Sequence, residues 1–157
     1  MNQATIEKLR RLLTAILLLA APLPAAAQTY VNPGLKLGYR FGEAGGFVAG
    51  FEVSIMIARE KGYIGFVVAA DGTPKIWDYH FAVEYGVGYV GICAGPVVAR
   101  RADTTEYGFR VTPYAGIFLV PYYNYQYLFQ SGSEHEIGSY IKLSIPNSSW
   151  QTGRIGG

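Results

Sequence analysis

From Leu35 to Ile145, apolar residues alternate one by one with small or polar ones, and nowhere after Gln28 do apolar residues recur at helical spacing. A period of two is that of a β-strand, whose side chains point to opposite faces in turn. In LKLGYRFG, Leu35, Leu37, Tyr39 and Phe41 share one face, and Lys36, Gly38, Arg40 and Gly42 the other. In FVAGFEVSIMIAR, Phe47, Ala49, Phe51, Val53, Ile55 and Ile57 stand opposite Val48, Gly50, Glu52, Ser54, Met56 and Ala58. Six more segments follow at 63–69, 76–87, 89–100, 106–118, 121–130 and 136–145. Eight such segments on short connections predict an all-β, antiparallel up-and-down meander.

The connections carry turn chemistry. The apolar face moves from odd to even numbers between the second and third segments, which demands an even loop, and Lys61-Gly62 supplies a two-residue turn. Asp71-Gly72-Thr73-Pro74, Ala102-Asp103-Thr104-Thr105 and Ser131-Gly132-Ser133 supply turn residues elsewhere. Pro96 and Pro113 fall inside strand patterns, where each removes a backbone donor, so bulges or rim positions are expected there. The pattern assigns 35–145 to the domain, with 28–34 as a lead-in and 146–157 as a C-terminal tail.

Ahead of the pattern, Lys8, Arg10 and Arg11 precede the apolar run LLTAILLLAA and the small-residue stretch PLPAAA. A basic segment, a short apolar run and an A-x-A site predict a secretory signal peptide over residues 1–27, cleaved after Ala27. The run is shorter than the ~20 residues of a spanning helix. With it go three of thirteen basic residues and, in Glu7, one of eleven acidic ones, leaving ten of each. A neutral mature chain gives no footprint for nucleic acid. Cys93 is the only cysteine, so no intrachain disulfide can staple the domain.

Alternation does not say which face meets water; the composition of the faces does. A soluble lipocalin-like barrel, carrying an apolar ligand, would turn its apolar face inward and a charged coat outward. Here the polar face is dominated by small residues, including Gly38, Gly50, Ser54, Gly65, Ala82, Gly95, Gly108 and Gly138. Single charges are scattered among them. Small residues with a few ionised ones suit the crowded lumen of eight strands. The other face is aliphatic and aromatic: Phe47, Phe51, Val53, Ile55, Trp77, Tyr79, Phe81, Val83, Phe109, Val111, Ile141 and Leu143. Such a face suits lipid, and the thirteen Tyr and two Trp suit interfacial girdles. The expected fold is therefore an eight-stranded transmembrane β-barrel.

With its leader and alternating segments such as LKLGYRFG and YGFRVTPYAG, the chain resembles the small eight-stranded outer-membrane β-barrel families of the OmpX and OmpA-barrel type over residues 35–145. The resemblance is architectural. It implies export across the inner membrane, insertion by the barrel-assembly machinery, and an outer-membrane protein surrounded by lipid, expected as a monomer. Such chains typically close their last strand on an aromatic residue; this one reaches Ile145 and continues PNSSWQTGRIGG, so only a last strand extended to Trp150 would restore that signal.

In WDYHFAVEYG, Asp78, His80 and Glu84 suggest a metal or acid–base set. On a strand rising ~3.3 Å per residue, Asp78 and His80 stand roughly 7 Å apart and Glu84 about 13 Å beyond, too far for one ion with ligands at ~2 Å. No cofactor or metal motif accompanies them. All three share the lumen parity with Lys36, Arg40, Glu52, Arg110, Glu136 and Lys142. Buried charges persist when paired, so these nine predict a cross-strand salt-bridge network that plugs the barrel, and no open pore. A three-residue first loop would set Lys36 opposite Glu52. An enzyme alternative, resembling lipid A deacylases or palmitoyltransferases, would use His80 with a serine such as Ser54. The deacylase-type His-x-Ser pattern is absent, since Phe81-Ala82 and Glu136-Ile137 follow the two histidines.

Overall fold

A computed structural model describes residues 28–42 and 45–147; the predicted leader and Trp150 lie outside them. The strands are β1 (Gln28–Phe41), β2 (Gly46–Arg59), β3 (Gly62–Thr73), β4 (Ile76–Val87), β5 (Val90–Arg100), β6 (Thr105–Ala115), β7 (Leu119–Leu128) and β8 (Gly132–Lys142). A two-residue piece, β9 (Ile145–Pro146), continues the pairing of β8 along β1. Each strand pairs antiparallel with its neighbour in sequence, and β1 pairs with both β2 and β8. The sheet is a closed meander barrel of eight strands, which leaves no edge with unpaired backbone groups.

Closure is staggered. From Gly34 the registers run through Glu52, Ala69, His80, Val97, Gly108 and Leu128 to Gly132. Gly132 lies three positions before His135, which faces Phe41 of β1, so the sheet meets itself ten residues further along that strand. Such a stagger goes with strands tilted by about 35–45°. Gln28 and Asn147, the ends of the described residues, share one rim with the turns at 60–61, 88–89 and 116–118, here called the terminal rim. Connections 42–45, 74–75, 101–104 and 129–131 form the far rim.

Several local expectations change. Residues 28–34 are strand rather than lead-in, because they pair with β2 from Gln28–Ala58 onward. The second hairpin turns at Glu60-Lys61, since Arg59 faces Gly62; Lys61-Gly62 is one residue late. The third turns at Pro74-Lys75, so Asp71 and Thr73 belong to β3. Pro96 and Pro113 mark no bulge. The registers of β4–β5 and β6–β7 are the same on either side of the interruptions beside them. Pro96 and Pro113 face outward, and at Gly95 a Cβ would come 2.0 Å from the Phe81 carbonyl oxygen. The strands close up on that glycine instead of slipping.

Gly138 is crowded by two different strands. A Cβ there would meet the Leu37 carbonyl oxygen at 2.2 Å, the Tyr122 hydroxyl at 2.6 Å and the Gly38 Cα at 2.7 Å. Two of these three contacts are backbone and cannot swing away, so Gly138→Val should cost about 1–3 kcal/mol or more by overpacking. Folded fraction on a heat-modifiable gel reads this directly. Ala115→Val, on the exposed outer face, is the control expected to stay within about 0.5 kcal/mol.

Candidate functional site: the ionised lumen

Inward positions hold the charges, and outward positions hold the apolar side chains. Phe51 is 57% exposed and Phe81 55%, whereas Arg40 is 2%, Arg110 1% and Asp78 0%. The outward residues named from sequence stand on the outer surface, with Val111 half-buried. Within the described strands the outward charges are Arg59 and Arg100, each the last residue of its strand. Outward aromatics gather towards the far rim, including Tyr39, Phe41, Phe47, Trp77, Tyr107 and Tyr127. The interior of a carrier for apolar ligands would show the reverse.

All nine polar-face residues named from sequence lie inside: Lys36, Arg40, Glu52, Asp78, His80, Glu84, Arg110 and Glu136 are buried, and the Lys142 side chain is 11% exposed. The expected cross-strand pairing holds between β1 and β8, where Arg40 faces Glu136 and Lys36 also reaches Glu136, while the other ion pairs among these residues join strands that are not neighbours. The central cluster spans the lumen from β1, β3, β4, β6 and β8. Arg110 Nη1 donates to Asp71 Oδ2 at 2.8 Å, and Arg110 Nη2 donates to Asp78 Oδ2. Arg40 Nη2 reaches the same Asp78 oxygen at 2.6 Å and Glu136 Oε2 at 3.0 Å. The Lys36 ammonium bridges Asp71 at 2.9 Å and Glu136 at 2.7 Å. Three cations thus face three carboxylates. Lys36 and Glu52 are not opposite; the register sets Lys36 against Gly50, and Glu52 pairs instead with Lys142.

Neutral donors extend the cluster, although Asp78 Oδ1 and Arg40 Nη1 keep no hydrogen-bond partner among the described residues. Tyr122 and Asn124 both donate to Glu136 Oε1, at 2.6 and 3.0 Å. Thr112 donates to Asn124, and Gln126 links Arg110 to Asp78. A buried ion network stabilises its own fold only when remaining lone pairs and protons are satisfied in this way.

The two ends are closed differently. At the far rim Arg101 holds Glu106 at 3.0 Å and Glu134 at 3.1 Å and donates to Ser131. An apolar plug of Ile76, Val97, Ala99 and Leu128 also fills the lumen. Towards the terminal rim the Lys142 ammonium lies over the rings of Tyr114 (5.2 Å) and Tyr140 (4.9 Å). Tyr63 donates to Tyr114, whose hydroxyl donates to Glu84. A vestibule of about 220 Å³ opens there, lined by Asn32, Ser54, Glu84, Tyr114 and Lys142 among others.

Pairing does not extend to every charge. Glu84 is held by a tyrosine alone, and His80 keeps Nε2 without a hydrogen-bond partner among the described residues. Ser54 accepts a hydrogen bond from Asn32 at 3.3 Å, and none joins it to His80. The described residues contain no group of three His, Cys, Asp or Glu side chains placed to hold a metal ion. Electrostatically the arrangement is a filled, cross-linked interior.

Sequence reading missed Asp71 in the central cluster, since Asp-Gly-Thr-Pro reads as a turn, and Arg101, Glu106 and Glu134 in the far-rim ion pairs. The parity of Asp71 with Gly65, Val67 and Ala69 was the available signal. Asn124, Gln126 and Tyr122 likewise sit on the inward face, and nothing local distinguishes a polar residue in a network from one merely solvated.

An apolar belt around an ionised, filled interior is the arrangement of a transmembrane β-barrel. No family model matches the sequence, and no curated protein matches it. Among solved structures, one described as "De novo design of transmembrane beta-barrels" is similar over 73% of this chain and 95% of its own, with a TM-score of 0.43 and 9% identity. At that likeness the functional reading rests on this chain's own geometry.

Proposed function

We propose that the protein is an integral outer-membrane barrel of structural or surface type, exported by its leader, inserted by the barrel-assembly machinery, and monomeric. It belongs, on this reading, with the small OmpX and OmpA-type barrels and is not an enzyme. One observation carries the membrane part: the outward side chains between the strand ends are uncharged, while the ion pairs are inside. Water would reverse that preference, because burying charge is costly and exposing a continuous apolar belt invites association. Strands of 10–14 residues are long enough to cross the hydrocarbon at the tilt that the stagger implies. A filled lumen supports a role at the surface, through rims and lipid, over one in solute passage.

Expressed with its leader, the protein should float with outer-membrane vesicles, resist extraction by alkali, and run faster on gels before boiling than after. Recovery as a soluble monomer would refute the proposal. Unchanged lipid mass spectra on overexpression are expected as well; a deacylated or newly acylated lipid would make it an enzyme.

A further inference from the structure

We infer that the outer wall of β3, β4 and β5 at the far rim binds one anionic phospholipid, with its phosphate at Lys75 and Arg100 and an acyl chain in the notch over Pro96. This rests on the membrane reading above and names the lipid that the wall selects.

The rim supplies the charge. Among the described residues, the exposed cations of the far rim fall in one sector, on the 74–75 turn and the end of β5. They border a groove of about 510 Å³ lined by Lys75, Trp77, Tyr79, Arg100 and Arg101 among others. Arg101 is already engaged by Glu106 and Glu134. The Lys75 ammonium and the Arg100 guanidinium have no ion pair or side-chain hydrogen bond among the described residues. Two free cations beside a Trp and a Tyr at the edge of an apolar belt match the depth and charge of a lipid phosphate. The opposite rim lacks this combination, for there Arg59 and Lys61 flank Glu60.

The wall supplies the chain site independently. Below the groove lies an apolar depression of about 360 Å³, bordered by Phe66, Phe81, Val83, Ala94 and Pro96 among others. It exists because β5 presents Ala94 and Pro96 where β4 presents Val83 and Phe81. The two features follow one another along the same two strands: Trp77 faces Arg100, Tyr79 faces Val98 next, and Phe81 and Pro96 border the depression beyond. Pro96 is four residues from Arg100, about 13 Å along the strand, which is below headgroup depth.

The test is made on the full barrel inserted into vesicles of phosphatidylcholine and phosphatidylglycerol in equal amounts, scored first by flotation. Native mass spectrometry then counts the lipid that stays bound. The wild type should retain one phosphatidylglycerol in preference to phosphatidylcholine by about tenfold or more, as two cations near a phosphate imply. Lys75→Ser with Arg100→Ser should remove the preference. Ala94→Phe, which fills the notch and spares both charges, should lower retention of phosphatidylglycerol. Arg59→Ser with Lys61→Ser, at the other rim, should change nothing. Insertion without headgroup selection, or equal loss from the two charge pairs, would overturn the site alone. Failure to float would sink the membrane reading itself.

Discussion

Arg110→Met should cost about 3–5 kcal/mol of barrel stability, the usual penalty for leaving buried charge without its partner. Arg110 is 1% exposed and donates to both Asp71 and Asp78, so its loss leaves three carboxylates against Lys36 and Arg40. The companion change, Asp78→Asn, restores the balance, since Asp78 is the carboxylate on which Arg40, Arg110 and Gln126 converge. Arg110→Met with Asp78→Asn should therefore recover more than half of the loss. Urea unfolding of the inserted barrel measures both, and the cycle isolates the coupling between the two sites. A single-variant cost below about 1 kcal/mol would mean that water reaches the cluster, because exposed pairs are worth no more than that.

Phe81→Arg should cost about 2–4 kcal/mol, and Val87→Arg on the same strand only about 0–1. Phe81 is near the middle of β4 and Val87 is its last residue; both face outward, at 55% and 50% exposure. Nothing in the protein itself distinguishes these two exposed positions strongly. In water each substitution would stay within about 0.5 kcal/mol, as surface changes generally do. A gradient with depth is therefore a property of the surrounding hydrocarbon, and two equal, small costs would show that no hydrocarbon is there.

How much was legible in the sequence follows from the range of each signal. Parity is local, so Lys36, Arg40, Glu52, Asp78, His80, Glu84, Arg110, Glu136 and Lys142 could all be set on one face from their neighbours alone. Partners are not local. A three-residue first loop would set Lys36 opposite Glu52, whereas the chain makes a longer one and shifts the register by two, to Lys36 opposite Gly50. A two-residue shift leaves every side chain on its own face, so alternation cannot detect it. Asp71 was hidden for a related reason. Turn chemistry and strand chemistry overlap in Asp-Gly-Thr-Pro, and only the pairing of Asp71 with Asp78 across β3 and β4 shows that the strand continues. Pro96 looked like a defect because its missing donor was visible and the close approach allowed by Gly95 was not.

What the sequence determined by itself was the period, the number of strands and which face carries the charges, because each is written in residues one or two apart. The closed structure decided which charges meet. A stagger of ten residues around eight tilted strands brings Arg40 of β1 beside Asp78 of β4 and Glu136 of β8. Arg40 and Glu136 face each other in the β1–β8 register, and Arg40 meets Asp78 across the lumen from a strand that is not its neighbour, so both contacts exist only once the sheet has joined its own first strand.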